Sequence, residues 1–466
     1  MEASEQKQKL PPATPVYVLR GHASPIHALN FYSKNSRLIS GDADGWVVVW
    51  DMATKRPVAA WKAHGGAILG VEGVDFEATE NKESDDKWVF THGRDHAIRV
   101  WRLNCKDEEI LDKAPPVGAH GSTKERSEPW LIYSLTVNAL NFCPFALCFV
   151  PREGNGEAKK AFRPSHSDGV QSTRSKPLPG SQMLLAVPNA LNTGGIDVFH
   201  LPSEKRLSII SPDPSINTGM VMAVQLFFSN AGDLYIVSGY EDGRAMVHVR
   251  RGLEEDIKNQ DASTVEWTWE RIYMNKPHSQ PVLSLEISPT TRDYFLTSAA
   301  DVIIAKHPIP SQQPPGSKAG EQSATSPELS TLKLVNTKHS GQQGLKIRSD
   351  GKIFVTAGWD FRARVYSCKT MKELAVLKWH KDGCYSIALA DVGVNFDDGT
   401  TATVSTEKAN GEGGATESSD SRTVSIDPQG GRTLAEIKLQ RSRKAQLTHW
   451  VAAGSKDGKI SLWDIY

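Results

Sequence analysis

The 466-residue sequence predicts an all-β fold: a propeller of seven four-stranded blades whose ring is closed by the N-terminal strand. Three observations carry the prediction. A short motif recurs six times in one gapless frame, a seventh degenerate copy fits the widest interval, and the chain ends one strand short of a blade while a spare strand precedes the first copy. Repeats of this kind mean that each unit buries its apolar face only by stacking on its neighbours.

The repeat is read from SGDADGWVVVWD, THGRDHAIRVW, SGYEDGRAMVH, TSAADVIIAKH, TAGWDFRARVY and AAGSKDGKISLWD, which align Asp44, Asp95, Asp242, Asp301, Asp360 and Asp457. Four residues earlier stand Ser40, Thr91, Ser238, Thr297, Thr356 and Ala453; six residues later stand Trp50, Trp101, His248, His307, Tyr366 and Trp463. Upstream come dipeptides ending in His22, His64, His120, His339 and His380. This resembles the GH…WD pattern of WD40 repeats. The chemistry explains the columns. A turn aspartate accepts from an imidazole N–H, the imidazole bonds a hydroxyl, and the hydroxyl takes an indole N–H, so that a buried network pins each blade. Ala453 removes the hydroxyl from the last copy, which predicts a less rigid seventh blade.

Some 147 residues separate Asp95 from Asp242, where a repeat of about 40 to 45 residues is expected. Gly118 to Gly121 with His120, then LTVNALNFCPFALCFV and QMLLAVPNALNTGGIDVFHL, supply the third blade without a turn aspartate. Closure follows from PVYVLRGH, residues 15–22, as the strand completing the blade that ends GKISLWDIY. Closing the ring leaves no free sheet edge around it, so truncation before about residue 20 is expected to destabilise the fold. Residues 1–14 read as a flexible terminus and 15–466 as one propeller, with long insertions at 152–182, 308–330 and 397–446. All the long insertions fall on one face, opposite the tight aspartate-bearing turns. The first part of the 397–446 insertion is acidic and rich in Gly, Ser and Thr, a composition that favours disorder.

Composition narrows the function classes. Lys plus Arg equals Asp plus Glu at 54 each, so no global field draws the chain to nucleic acid or an anionic membrane. Five cysteines without a CxxC pair argue against a disulfide framework or a zinc site. The absence of an apolar N-terminal segment or an 18-residue apolar run predicts an intracellular chain. Gly454 to Lys459 lacks the spacer of a phosphate loop, and His92 and His96 flank a strand turn rather than sharing a helix face. The recurrent His/Ser/Asp sets resemble nucleophile triads in residue type, but a triad occurs once per site with an oxyanion hole. The reading is therefore no catalytic residues, no cofactor, no metal and no small-molecule substrate. KLQRSRK, ending at Lys444, reads as an import signal, a nucleic-acid contact or a solvated basic stretch; it lacks the interleaved aromatics of RNA binders. On the compact face Arg94, Tyr240, Glu241, Trp359, Phe361 and Lys456 are the partner-contact candidates, since exposed Trp, Tyr and Arg are typical hot-spot residues. The competing reading packs Trp359 and Phe361 between blades.

Several stretches extend beyond the generic columns, among them VYVLRGHASPIHALNF, VNALNFCPFALC, TGMVMAVQLFF, NTKHSGQQGLKIRSDGKIFVTAGWD and KTMKELAVLKWHKDGCYSIALAD. With these the chain resembles, almost end to end, fungal members of the WD-repeat ASTRA-associated protein family, related to a G-protein-β-like animal protein. The resemblance implies a non-enzymatic scaffold subunit of the ASTRA complex. It further implies a nuclear location, with the cytoplasm left open, chromatin remodelling, and co-chaperone-assisted maturation of phosphatidylinositol-kinase-related kinases. The expected partners are protein subunits of that machinery. The alternative is a propeller that recognises histone tails or ubiquitin-ligase substrates, although neither Trp50-Asp51 nor Trp463-Asp464 is followed by the arginine of a ligase-binding blade.

Overall fold

The computed structural model describes residues 13–77, 87–118, 126–138, 143–151, 177–178, 180–252, 267–310, 331–393 and 433–465. The expected disorder of the acidic stretch, and most of the 152–182 and 308–330 insertions, lie outside these residues. Seven four-stranded antiparallel sheets form the blades of a β-propeller. The first blade comprises Ile26–Tyr32, Arg37–Asp42, Trp46–Asp51 and Arg56–Lys62. In the seventh, Cys384–Leu389, Trp450–Ser455 and Lys459–Asp464 are completed by Tyr17–Arg20 from the other end of the chain. Tyr17 pairs with Leu462 and Arg20 with Lys459, so the ring closes through ordinary antiparallel pairing.

Two irregularities recur and position the functional side chains. Near the start of the innermost strand the register shifts in six blades, as at Ile26/Ala28 and Cys384/Ser386. A second shift precedes the aromatic column between the third and fourth strands, as at Val49/Trp50 and Val100/Trp101. Bulges turn a side chain out of the pleat's alternation, and these occupy the same place in blade after blade. The blades interlock where a residue is small. A Cβ on Gly41 would lie 2.5 Å from Ile68 of the next blade, one on Gly239 2.6 Å from Val282, and one on Gly454 2.7 Å from Ile26. His92 stands at this position in the second blade, fully buried and against Phe145 at 6.2 Å between ring centroids.

The third blade needs a correction. Trp130–Thr136 is the outer strand of the second blade, so His120, itself outside the described residues, lies in the insertion before that strand and not in a turn leading into the third blade. The third blade is Ala146–Phe149, Met183–Pro188, Ile196–Leu201 and Lys205–Ile210. In its tight turn Asn189 replaces the aspartate: its amide donates to Asp197 at 2.7 Å and its carbonyl oxygen accepts from the N–H groups of Leu191 and Asn192.

The described parts of two insertions form helices. After the third strand of the second blade comes α1 (Cys105–Ile110), capped by Asn104 and Asp107, whose Glu108 binds Arg37 at 2.7 Å. The chain then follows the outer edge of the first blade, with Ala60 N donating to Asp112 O and Val117 N to Gly21 O, each at 2.8 Å. This insertion therefore crosses from the loop face to the compact face and covers a strand edge on the way. The basic run Lys438 to Lys444 belongs to α2 (Leu434–Leu447), started by a Thr433/Glu436 capping box. Its C-terminal end is anchored by Trp450 Nε1 on Ala445 O at 2.7 Å and Asn35 on Gln446 O at 3.0 Å.

Candidate functional site

In the second blade His64 Nδ1 donates to Asp95 at 2.7 Å, Thr91 Oγ1 lies 2.8 Å from His64 Nε2, and Trp101 Nε1 donates to Thr91 at 3.0 Å. Space for the imidazole comes from Gly93, where a Cβ would sit 2.3 Å from the His64 ring. Burial pushes the His64 pKa down, so the ring is neutral and offers one donor and one acceptor to this chain of bonds. Asp95 is held at about 2: burial works against ionisation, but bonds from Arg99 and His64 prevail.

The first blade has the same chain with a different carboxylate. His22 Nδ1 donates to Asp42 at 2.7 Å, not to Asp44; His22 Nε2 meets Ser40 Oγ at 2.7 Å, and Trp50 Nε1 reaches that hydroxyl at 2.8 Å. Asp42 follows Ser40 by two residues and so shares its face of the strand. Asp44 lies out in the turn and accepts from Ser24.

In the fifth blade the imidazole is His278, which the dipeptide pattern passed over. It lies 3.2 Å from Asp301 and 2.8 Å from Thr297 Oγ1; His307 takes the indole's place at 2.8 Å from Thr297 and accepts from Tyr273 OH at 2.9 Å. The seventh blade corrects the expectation drawn from Ala453. Ser461, directly across the ladder from Ala453, supplies the hydroxyl, meeting both His380 Nε2 and Trp463 Nε1 at 2.8 Å. Asp457 is 3.8 Å from His380 and instead binds Lys459 at 2.7 Å.

The fourth and sixth blades depart further. No histidine precedes the fourth blade, and Ser238 donates to Tyr240 OH at 3.1 Å while Asp242 pairs with Arg244. Tyr240 is 2% exposed, so it belongs to the blade interior and not to the partner surface for which it was a candidate. In the sixth blade His339 is 37% exposed on its side chain and 3.6 Å from Asp360, which instead receives Arg364 Nη1 at 3.0 Å. Thr356 is buried, and Tyr366 stacks on Phe354 at 4.9 Å.

The other surface candidates lie on the compact face. Arg94 and Lys456 are exposed, and Glu241 is exposed with its carboxylate accepting Met220 N at 3.0 Å. Trp359 and Phe361 are 42% and 48% exposed, which rules out their packing between blades. Trp359 donates to Gln343 at 2.8 Å and lies over Gly341, at the wall of the central channel. Phe361 has φ +71°, at the turn position filled by Gly45, Gly243 and Gly458 in three other blades. A bulky residue in this left-handed region costs about 1 kcal/mol or more relative to glycine.

The channel itself, about 2560 Å³, is walled by the innermost strands and carries a His27/Tyr385 ring pair at 5.9 Å. Inside it Gln225 and Lys346 both donate to Glu286, at 2.8 and 2.9 Å. Among the described residues no group of three His, Cys, Asp or Glu is placed to hold a metal ion, and no helix is long and apolar enough to cross a membrane. His92 is buried while His96 is exposed in the turn, so the two rings do not converge on one site. Gly454 to Lys459 is a strand end and tight turn, with Lys459 committed to Asp457.

Comparison with known proteins agrees with the whole-chain architecture. The family model described as ASTRA-associated protein 1 matches residues 15–463. ASTRA-associated protein 1 of Aspergillus flavus is 50% identical over 99% of this chain and 100% of its own length. That of Penicillium rubens is 51% identical over 98% of each chain, and that of Schizosaccharomyces pombe 33% identical over 80% of this chain and 93% of its own. A match that runs from the closing strand to the last blade shows that the chain belongs to the ASTRA-associated protein 1 family.

Proposed function

We propose that the chain is a non-enzymatic scaffold subunit of the ASTRA complex, acting from residue 15 onward as one propeller that docks other subunits on its compact face. The family's name supplies the complex, and the Trp359/Phe361 pair supplies the surface. Phe361 carries the reading: glycine would satisfy its turn with less strain, so keeping an exposed aromatic ring there has a stability cost that folding does not require. Arg94, Glu241 and Lys456 surround the same face as polar contacts, the composition of an interface whose aromatic anchors are rimmed by charge. Within the complex the role extends to nuclear chromatin remodelling and to co-chaperone-assisted maturation of phosphatidylinositol-kinase-related kinases, as the family resemblance implies.

Crosslinking of the tagged chain in its native complex, followed by mass spectrometry, tests the surface. Crosslinks from Lys456, Lys381 and Lys338 to other ASTRA subunits are the expected result. Crosslinks confined to the opposite face would overturn the choice of surface, and repeated purification without any ASTRA protein would overturn the assignment.

A further inference from the structure

Charge on the compact face is uneven, although the chain as a whole is neutral. In the fourth blade Arg244 and Lys276 both pair with Asp242, and the exposed charge is that of Glu241. In the sixth and seventh blades the balance is reversed. Arg20, Lys338, Lys378, Lys381 and Lys456 are exposed there, and among the described residues none of the five has an ion-pair partner. The carboxylates of the same sector are largely committed, Asp360 to Arg364 and Asp457 to Lys459, while Asp382 is exposed.

These cations surround the exposed aromatic pair. Lys338 adjoins His339, which lies 3.6 Å from Asp360, the residue between Trp359 and Phe361. Lys378 stands across the ladder from Arg362, the residue after Phe361. Lys381 is two residues before Gly383, where a Cβ would lie 3.5 Å from the Trp359 backbone and whose carbonyl accepts Lys456 N at 2.9 Å. Arg20 pairs with Lys459 just beyond that turn. A single exposed ion pair contributes little, but several like charges around an apolar anchor decide which partner is attracted and which is repelled.

We infer that this sector takes an acidic segment of a partner protein, with an apolar side chain against Trp359 and Phe361 and its carboxylates over the lysines. The inference rests on the scaffold reading and states the chemistry of the partner. Two observations favour a peptide over a nucleic acid. Asp360, Asp382 and Asp457 are interspersed with the cations, so a backbone charged at every nucleotide would meet acids as well as bases, whereas a peptide can set each carboxylate opposite a lysine. The two exposed rings also stand on one turn, not in the series on which successive bases stack.

Zero-length carbodiimide crosslinking of the native complex tests it, because that chemistry joins an amine to a carboxylate only where the two touch. Amide links from Lys378, Lys381 or Lys456 to Asp or Glu residues within one segment of another ASTRA subunit are the expected result. Lys381→Glu/Lys456→Glu should lower recovery of that subunit about tenfold or more at an unchanged urea midpoint, since both positions are exposed. Lys381→Arg/Lys456→Arg should recover it as the wild-type chain does, and wild-type recovery should fall as salt is raised from about 0.1 to about 0.5 M. A subunit that crosslinks elsewhere and is recovered equally by the Glu variant would overturn the acidic partner and leave the scaffold reading standing. Links from these lysines only to carboxylates of the chain's own 397–446 insertion, or recovery lost on nuclease treatment, would overturn it in favour of those occupants. A wild-type chain that recovers no ASTRA protein would remove both readings.

Discussion

Replacing Asp42 separates what the repeat frame suggests from what the geometry shows. Its carboxylate is 1% exposed and accepts three bonds: His22 Nδ1 at 2.7 Å, Asp44 N at 3.0 Å and Trp46 N at 2.9 Å. Bonds to an ionised acceptor contribute about 1.5 to 3 kcal/mol each, and a buried donor left unpaired costs about 1 to 3 kcal/mol. The two turn amides can turn to water, but His22 cannot, because it is buried at 4% exposure. Asp42→Ala is therefore expected to cost about 3 to 4 kcal/mol. Asp44→Ala loses a bond from Ser24 at the surface and should cost under about 1 kcal/mol. Urea unfolding of both variants, followed by tryptophan fluorescence, is the assay; a chain this long shifts its melting temperature by only about 1 °C per kcal/mol. If Asp44→Ala is as costly as Asp42→Ala, the frame was right and the geometric assignment is wrong.

Ser461→Ala should destabilise by about 2 to 3 kcal/mol, since it strands His380 and Trp463 together, while Ala453→Ser should gain little because the hydroxyl already stands across the ladder. Equal effects in urea unfolding would contradict that pairing. Stability should also fall on acidification from pH 7 to pH 5. Burial lowers the pKa of His92 and His307 to about 3 and of His248 to about 4 in the folded chain, below the ordinary value of 6.5. The unfolded chain thus binds protons first, so the stabilisation is complete above about pH 6.5 and is lost as pH falls toward the folded values, at up to about 1.4 kcal/mol per histidine per pH unit. A urea midpoint independent of pH between 7 and 5 would contradict it.

The blade count and the closing strand were legible because the repeat spacing and the spare strand at residues 15–22 give them directly. The identity of each network member was less so, for a physical reason. A sequence column fixes where a residue stands in the chain, but hydrogen bonds are satisfied in space, by whatever group reaches the site. Asp42 takes over from Asp44 because two residues along a strand return to the same face, and Ser461 replaces Ala453 because strand pairing sets them opposite one another. His278 escaped the pattern because Pro277 precedes it, where the first two copies have Gly21 and Ala63. Tyr240 looked like a surface residue beside a turn, yet the missing histidine left room for it inside. Helix α2 was hidden by the low-complexity segment before it; its capping box, Thr433 with Glu436, was the available signal.

If the compact face of this propeller docks ASTRA subunits through Trp359 and Phe361, removing both rings must lower partner recovery. The most direct measurement is quantitative co-purification with a tagged Trp359→Ala/Phe361→Gly chain against wild type, with urea unfolding as the control. Phe361→Gly relieves the left-handed strain at φ +71°, so the variant should be no less stable by more than about 1 kcal/mol. Recovery of at least one ASTRA subunit should fall tenfold or more while stability holds. Full recovery of every subunit by a stably folded variant would contradict it.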